Sequence, residues 1–407
     1  MKTRKALALF LSLTLLLTAT FVMAQEDSNT FVKYLDEFSR ALYENKDIGT
    51  THSLAQYIEG DSFYAYLSEK VAVHQLVTKR AFLYKTNYRV DTEPRVIESL
   101  NQETYFVSLA VRVSFNYVGI SDVNSGYSEL MNLVVSNQNG DIKVLDAFAP
   151  LNYYDTELRG AQYDLKHQVM QSPQLQTKSY IADRAKEIKD RLDHYYDNLY
   201  EELEGLQPND SAVNSFAVTS TLNKSAITAY AREYCTYVSP HSGGSGVPYY
   251  DFSQLGGDNW DCTNFVSHSL LAGGATPYNN GNPATGWYYV NLSNRSYSWS
   301  SVRYLFEYLT RSATTPGPYG TSIAYYAFDE RYGYPYSMGD ILQHYNGAVW
   351  RHSTVITGVY EYIPGNPYYL GALVCGRSAV GAYNKNQKAE EIYPGQQKRV
   401  IRLAGIR

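Results

Sequence analysis

Three cysteines, five methionines and four tryptophans are all that 407 residues contain of these types, and 35 basic residues are outnumbered by 40 acidic ones. Each scarcity excludes something. Three cysteines, Cys235, Cys262 and Cys375, cannot close into a complete disulfide framework, so at least one thiol stays unpaired. If Cys262 is the free one, Cys235 and Cys375 could pair, or both could be reduced core residues. A formal charge of −5 argues against nucleic acid or an anionic surface as the main partner. No set of His, Cys, Asp and Glu shows ligand spacing, so neither a metal nor another cofactor is expected. Only one apolar run is long, and no later stretch approaches a membrane span.

That run lies at the N-terminus. Lys2, Arg4 and Lys5 precede apolar residues from Ala6 to about Met23, and Val22-Met23-Ala24 offers small residues before a cut. The pattern predicts a secretory signal peptide over residues 1–24, with an uncleaved anchor helix as the alternative. Its removal takes away three positive charges and no negative one, moving the balance from −5 to −8. What the chain has in abundance is tyrosine, 41 residues. Tyrosine can present amphipathic contact surface or fill cores and exposed sheets, and the second use is the simpler expectation.

Along the chain, Phe31, Tyr34, Leu35, Phe38 and Leu42 predict an amphipathic helix over 30–44. From about Val71 the apolar period changes to two. Tyr105, Val107, Leu109, Val111, Val113 and Phe115 mark a long antiparallel strand with one wet side. Met131, Leu133 and Val135 continue the pattern, and Asn139-Gly140 turns it into Ile142–Phe148. This makes an α+β domain over 25–206, whose order of elements resembles the nuclear-transport-factor-like cone. It ends in a long helix over 178–206, with Ala185, Ile188, Leu192, Tyr195 and Leu199 near one seam. Polar residues 207–221 read as a linker, and 222–407 as a second domain. In that domain, Ala226–Tyr237 and Val302–Thr310 are expected helices. Gly339–Gln343 opens a strand, Trp350–Tyr360 returns it, and Pro364–Pro367 turns the chain again into Tyr369–Arg377.

The chemistry concentrates at Asp261-Cys262-Thr263-Asn264-Phe265-Val266-Ser267. Asp261 is a good N-cap and Gly273-Gly274 a stop, so Cys262 falls in the first turn of a short helix. Unpaired N–H groups there favour a thiolate. A thiol nucleophile needs a base. His241 lies in a loop. His268 sits six residues along the same helix, rotated away from Cys262. His344 and His352 sit on the two strands of one hairpin, and His352, before an apolar run, is the best placed.

These motifs, with Leu-Leu-Ala-Gly-Gly at 270–274, Trp-Tyr-Tyr at 287–289, Ser-Trp-Ser at 298–300, Gly-Asp-Ile-Leu-Gln at 339–343 and His-Ser-Thr-Val-Ile-Thr at 352–357, resemble the putative amidase domain of Gram-positive bacteria. That family is similar to the papain-like CHAP-type amidohydrolases of cell walls. The resemblance covers about 222–405. It implies a papain-like α+β fold, Cys262 as nucleophile and His352 as base. Related domains often carry an acidic residue on the strand after the base, where this chain has Val374-Cys375-Gly376-Arg377-Ser378. Hairpin geometry places position 378 or 379 opposite His352, making Ser378 the first candidate for the orienting group and Asn384 the second. The Cys262 N–H, with the Gln254 side chain, would form the oxyanion hole.

The expectation is a secreted, extracellular and cell-wall-associated cysteine amidase or peptidase, with a peptide or peptidoglycan substrate suggested by the resemblance. Two alternatives stand beside it: a catalytically inactive wall-binding or structural protein, and an acyl transferase using the same Cys–His chemistry.

Overall fold

The computed structural model describes residues 25–48, 51–160, 162–170, 177–205, 221–236, 249–255, 260–311, 315–325, 336–363, 366–378 and 382–407. The expected signal segment 1–24, nearly all of the expected linker and the loop carrying His241 lie outside them. The protein is a mixed α+β chain with two compact units. One takes in residues up to Thr78 with Asn87–Ser114 and Ser128–Asp190. The other takes in Lys79–Thr86, Phe115–Tyr127 and the chain from Arg191 onward.

In the first unit, helix α1 (Gln25–Ile48) buries Phe31, Leu35, Phe38 and Leu42, the stripe its spacing predicts. Helix α2 (Asp61–Arg80) corrects the expected start of the β pattern at Val71. Seven residues from Val71 to Val77 pass for alternation. Over the longer window, Phe63, Tyr66, Leu67, Lys70, Val71, His74 and Val77 recur at three and four and are buried on one face. The strands begin later: β1 (Lys85–Ser99), β2 (Thr104–Tyr117), β3 (Ile120–Gln138) and β4 (Asp141–Phe148), hydrogen-bonded in that order. Asn139 (φ 54°) and Gly140 (φ 90°) close the β3–β4 hairpin in the left-handed conformation that such a two-residue turn demands. Helices α3 (Tyr153–Arg159), α4 (Leu165–Met170) and α5 (Lys178–Gly205) follow. Buried charges here are matched. Asp155 receives Lys70, the Tyr66 hydroxyl at 2.6 Å and the Ala149 N–H at 2.6 Å, while Arg159 pairs with Asp146 at 2.6 Å.

The second unit is built on an antiparallel sheet. Its elements are α6 (Lys224–Tyr234), α7 (Cys262–Ala272), the short pair β5 (Tyr289–Asn291) and β6 (Asn294–Arg295), α8 (Tyr297–Ser300), α9 (Val302–Thr310), β7 (Pro318–Ala324), β8 (Ile341–Tyr345), β9 (Trp350–Ile363), β10 (Asn366–Arg377), β11 (Tyr383–Lys388) and β12 (Lys398–Ile406). The strand order is β11-β10-β9-β8-β12-β7. Side-chain alternation sorts the two faces. Ile341, Val355, Cys375, Ile401 and Leu403 pack in one core with Ile227 of α6, Phe265, Val266 and Leu270 of α7 and Leu305 and Leu309 of α9. Leu342, Ile356, Val374 and Val400 form a second core with Tyr336, Ala389 and Ile392.

β11 is also held from outside. Ser125 Oγ donates to the Asn386 carbonyl at 2.8 Å, Asn386 Nδ2 to the Asn124 carbonyl at 3.3 Å, Lys388 N–H to the Tyr117 hydroxyl at 2.9 Å and Lys388 Nζ to the Phe82 carbonyl at 3.0 Å. Residues 79–86 and 115–127 are thus structural parts of this unit, although they lie far upstream in the chain. Among the described residues no helix is long and apolar enough to cross a membrane.

Candidate active site

Helix α7 opens at Cys262, as its capping pattern predicts, but Asp261 serves a wider role than an N-cap. Its carboxylate makes no capping bond to the first turn. It accepts instead from the Phe252 N–H at 3.1 Å, from Asn264 Nδ2 at 2.9 Å and from the Tyr249 hydroxyl, and it pairs with Arg377 Nε at 3.4 Å. Its own N–H donates to the Ser378 carbonyl at 2.9 Å. The helix start is thereby tied to the end of β10.

The other motif residues brace this helix and the strands beside it. Trp299 Nε1 donates to Asn264 Oδ1 at 2.7 Å. Trp287 Nε1 donates to Ser267 Oγ at 3.1 Å, which in turn donates to the Trp299 carbonyl at 3.0 Å. Gln343 Nε2 reaches the Val302 carbonyl at 2.9 Å and Ser353 Oγ at 3.1 Å, and Asp340 Oδ1 receives the Leu403 N–H at 2.8 Å. These side chains position rather than react. Each satisfies a polar group whose burial would otherwise cost roughly 1–3 kcal/mol.

The Cys262 thiol rests against the backbone of β9 at His352. Sγ lies 4.0 Å from the Arg351 carbonyl oxygen and is lowered in pKa by the Ser353 N–H, the groups on either side of His352. The net shift is nevertheless upward, because Cys262 is only 1% exposed and desolvation outweighs both that N–H and the Thr263 hydroxyl, with the Asp261 charge adding to the rise. A helix N-terminus alone suggests easy ionisation; burial reverses it. The resting sulfur is a thiol.

His352 is buried too, and desolvation pushes its imidazole down to about 4, against the hydrogen bond of Asn384, which raises it. It is therefore a neutral imidazole at ordinary pH. Both candidate orienting residues reach its ring. Asn384 Oδ1 is 3.0 Å from Nε2, and Ser378 Oγ is 3.5 Å from Nδ1. The register of Cys375 with Val355, continued three residues, brings Ser378 level with His352 as the hairpin geometry predicts. Asn384 arrives differently, across β10 from β11, where it pairs with Gly376. No hydrogen bond joins Sγ to the His352 ring in this resting arrangement. Such contacts commonly tighten only when substrate binds.

The remaining candidates separate. His344 faces His352 across the β8–β9 pair with ring centroids 5.6 Å apart, but its Nε2 is engaged by Thr354 Oγ1 at 3.0 Å, and burial holds it neutral. His268 packs between the Tyr249 and Trp299 rings. Gln254 lies exposed on the 3-10 turn Phe252–Leu255, and its side chain forms no hydrogen bond to Cys262 among the described residues. Cys235 and Cys375 lie in the core under α6 as free thiols in mutual contact. Among the described residues no three His, Cys, Asp or Glu side chains gather as a metal site.

Sequence reasoning missed two groups of residues. Gly376 lies under the imidazole: a Cβ there would stand 3.2 Å from His352 Nε2 and 2.9 Å from Thr354 Cγ2. Its signal was a glycine inside a strand, which often marks close approach. Gln387 and Glu391 extend from Asn384 away from the ring, and no short motif marks them.

The fold and site define a helix-borne thiol set against a strand-borne imidazole in an α+β unit. Residues 221–387, under half of the chain, match the model of a family described as a putative amidase domain, whose name points to amide-bond hydrolysis. No curated protein and no solved structure matches the chain.

Proposed function

We propose that the second unit is a papain-like cysteine amidohydrolase, with Cys262 as nucleophile, His352 as base and Asn384 as the group that orients His352. One observation carries the reading: the thiol at the start of α7 lies against the backbone flanking a buried imidazole whose Nε2 is bonded to an amide oxygen at 3.0 Å. A bond from Nε2–H to Asn384 Oδ1 leaves Nδ1 as the basic nitrogen. The 3.5 Å contact from Ser378 Oγ is long enough to yield to a proton from sulfur.

With a thiol and a neutral imidazole at rest, proton transfer accompanies attack. His352 Nδ1 takes the Sγ proton as sulfur bonds to the amide carbon. The oxygen that becomes negative is met by the Cys262 N–H, unpaired in the first helical turn. Gln254 serves as second donor once substrate draws it in. His352 then protonates the leaving amine as the C–N bond breaks, and a thioester remains. Water loses a proton to His352, attacks the thioester, and restores the thiol with release of a carboxylic acid. The apolar N-terminal run supports secretion, the family's name supports an amide substrate, and the resemblance to cell-wall amidohydrolases points to peptides of peptidoglycan. The first unit, in this reading, is an accessory domain of the nuclear-transport-factor-like kind.

Purified peptidoglycan incubated with wild type is expected to release fragments carrying one new amine and one new carboxylate per cut, seen by mass spectrometry and lost in Cys262→Ala. One observation favours a second reading, a wall-binding protein without turnover: Cys262 and His352 are only 1% and 2% exposed. Wall binding without fragments, unchanged by Cys262→Ala, would establish that reading.

A further inference from the structure

His352 does not end at Asn384. Asn384 Nδ2 donates to Gln387 Oε1 at 2.6 Å, and Gln387 Nε2 donates to Glu391 Oε2 at 2.7 Å. The other Glu391 oxygen, Oε1, receives the Tyr117 hydroxyl at 2.9 Å and Lys85 Nζ at 3.0 Å. Lys85 and Glu391 are 2% and 6% exposed in their side chains. Lys85 and Tyr117 belong to the upstream segments that cover β11, and all the members lie within the second unit.

The chain has a direction, and chemistry sets it from the far end. A carboxylate only accepts. Glu391 therefore requires the NH₂ end of Gln387, which turns the Gln387 oxygen to Asn384. Asn384 must then present its own NH₂ to Gln387 and its oxygen to His352. An amide oxygen facing Nε2 requires the proton to be on Nε2, leaving Nδ1 as the bare lone pair. An amide pair on its own could be flipped end for end with the same distances; the terminal carboxylate removes that freedom. We propose that Glu391, held by Lys85 and Tyr117 and acting through Gln387, is a positioning residue that selects the Nε2–H tautomer of His352. This rests on His352 being the base, but its test needs no turnover.

The test is NMR of the full chain with ¹⁵N-labelled histidine rings, the His352 signals assigned by their loss in His352→Gln. At pH 7 wild type is expected to show the Nε2–H tautomer in roughly two- to tenfold excess, as one net hydrogen bond allows. In Glu391→Gln, Lys85 and Tyr117 hold the amide oxygen, so its NH₂ faces Gln387, the relay turns end for end and the preference should swing toward Nδ1–H. The swapped pair, Gln387→Glu with Glu391→Gln, keeps an acceptor against Asn384 and a donor behind it, and should restore the excess. Melting curves confirm which variants are folded. If Glu391→Gln fails to fold, Gln387→Met cuts the relay, frees the Asn384 amide to turn and should bring the ratio toward a mixture. A folded Glu391→Gln, or Gln387→Met in its place, with the wild-type tautomer ratio overturns the proposal, and so does a swapped pair no better than Glu391→Gln alone. Cys262→Ala should leave the ratio unchanged whether or not the protein cleaves amides. Loss of amidase activity as an explanation is thereby kept apart from loss of this device.

Discussion

The two halves of the site are built in opposite ways. The thiol is positioned mainly from nearby in the chain: Asp261, Asn264 and Ser267 lie within one and a half turns of Cys262, and their partners Tyr249, Phe252, Trp287 and Trp299 lie within 40 residues of it, with Arg377 and the Ser378 carbonyl the distant exceptions. The imidazole is positioned remotely. Its neighbours come from residue 384 on another strand, then 387, 391, 117 and 85. The first half is largely carried within residues 249–299. The second exists only when the strands are stacked in order and the upstream segments cover β11.

The sharpest way to break this contrast is to cut the remote half at its first link. Asn384→Ala frees Nε2 and lets the ring rotate. If His352 is the base, kcat should fall by roughly 100-fold, the order expected when a catalytic group is misplaced by about 1 Å, with KM little changed because the loss is felt where the proton moves. Steady-state kinetics on a released peptide fragment checks it. A fall confined to KM would place Asn384 in substrate binding instead.

Gly376→Ala tests the same half from below. The added methyl meets the ring nitrogen and the Thr354 methyl at 3.2 and 2.9 Å, and neither sits at the end of a long flexible chain. Overpacking of this kind costs about 1–3 kcal/mol, read as a lower midpoint in urea with unchanged slope. Gly286, whose Cβ would meet the Tyr278 carbonyl at 2.7 Å, gives the corresponding strain on the local half. If Gly286→Ala alters kcat as strongly as Gly376→Ala, the distinction between the halves fails.

The contrast also explains what could be read before the fold was known. Strand β2, the β3–β4 hairpin and helices α1, α5 and α9 follow from periodicity and turn residues, which act over a few positions. The helix carrying Cys262 and the strand carrying His352 were legible for the same reason. The α2 helix was misread because seven residues from Val71 satisfy both periods, and only Phe63, Tyr66 and Leu67 upstream decide between them. β7, β11 and β12 were not anticipated; polar stretches such as Tyr383–Lys388 become strands because a neighbouring edge accepts them. Asn384 ranked second because sequence distance stood in for spatial distance. Nothing in a one-dimensional pattern links Lys85 or Tyr117 to His352, since that link is made of sheet order.

The gentlest probe of the comparison is pH, because burial perturbs a carboxyl beside the thiol and the imidazoles on the strands, and the two kinds of group act in opposite directions. Burial pushes the Asp261 carboxyl up from 3.8 to about 7, against the pull of Arg377. Between those values the folded chain holds a proton that the unfolded chain has lost, so this group makes stability fall as pH rises. Burial pushes His352 down from 6.5 to about 4. Between those values the unfolded chain holds the extra proton, and stability rises with pH. Burial holds His344 neutral as well, which adds a second rise over the same range. Wild type should therefore show stability rising with pH from about pH 4 to 6.5 in urea titrations, with the Asp261 slope partly offsetting the two imidazoles. Asp261→Asn should steepen that rise, and His352→Gln should flatten it. A change of the same sign in both variants would show that local and remote halves are not electrostatically opposed.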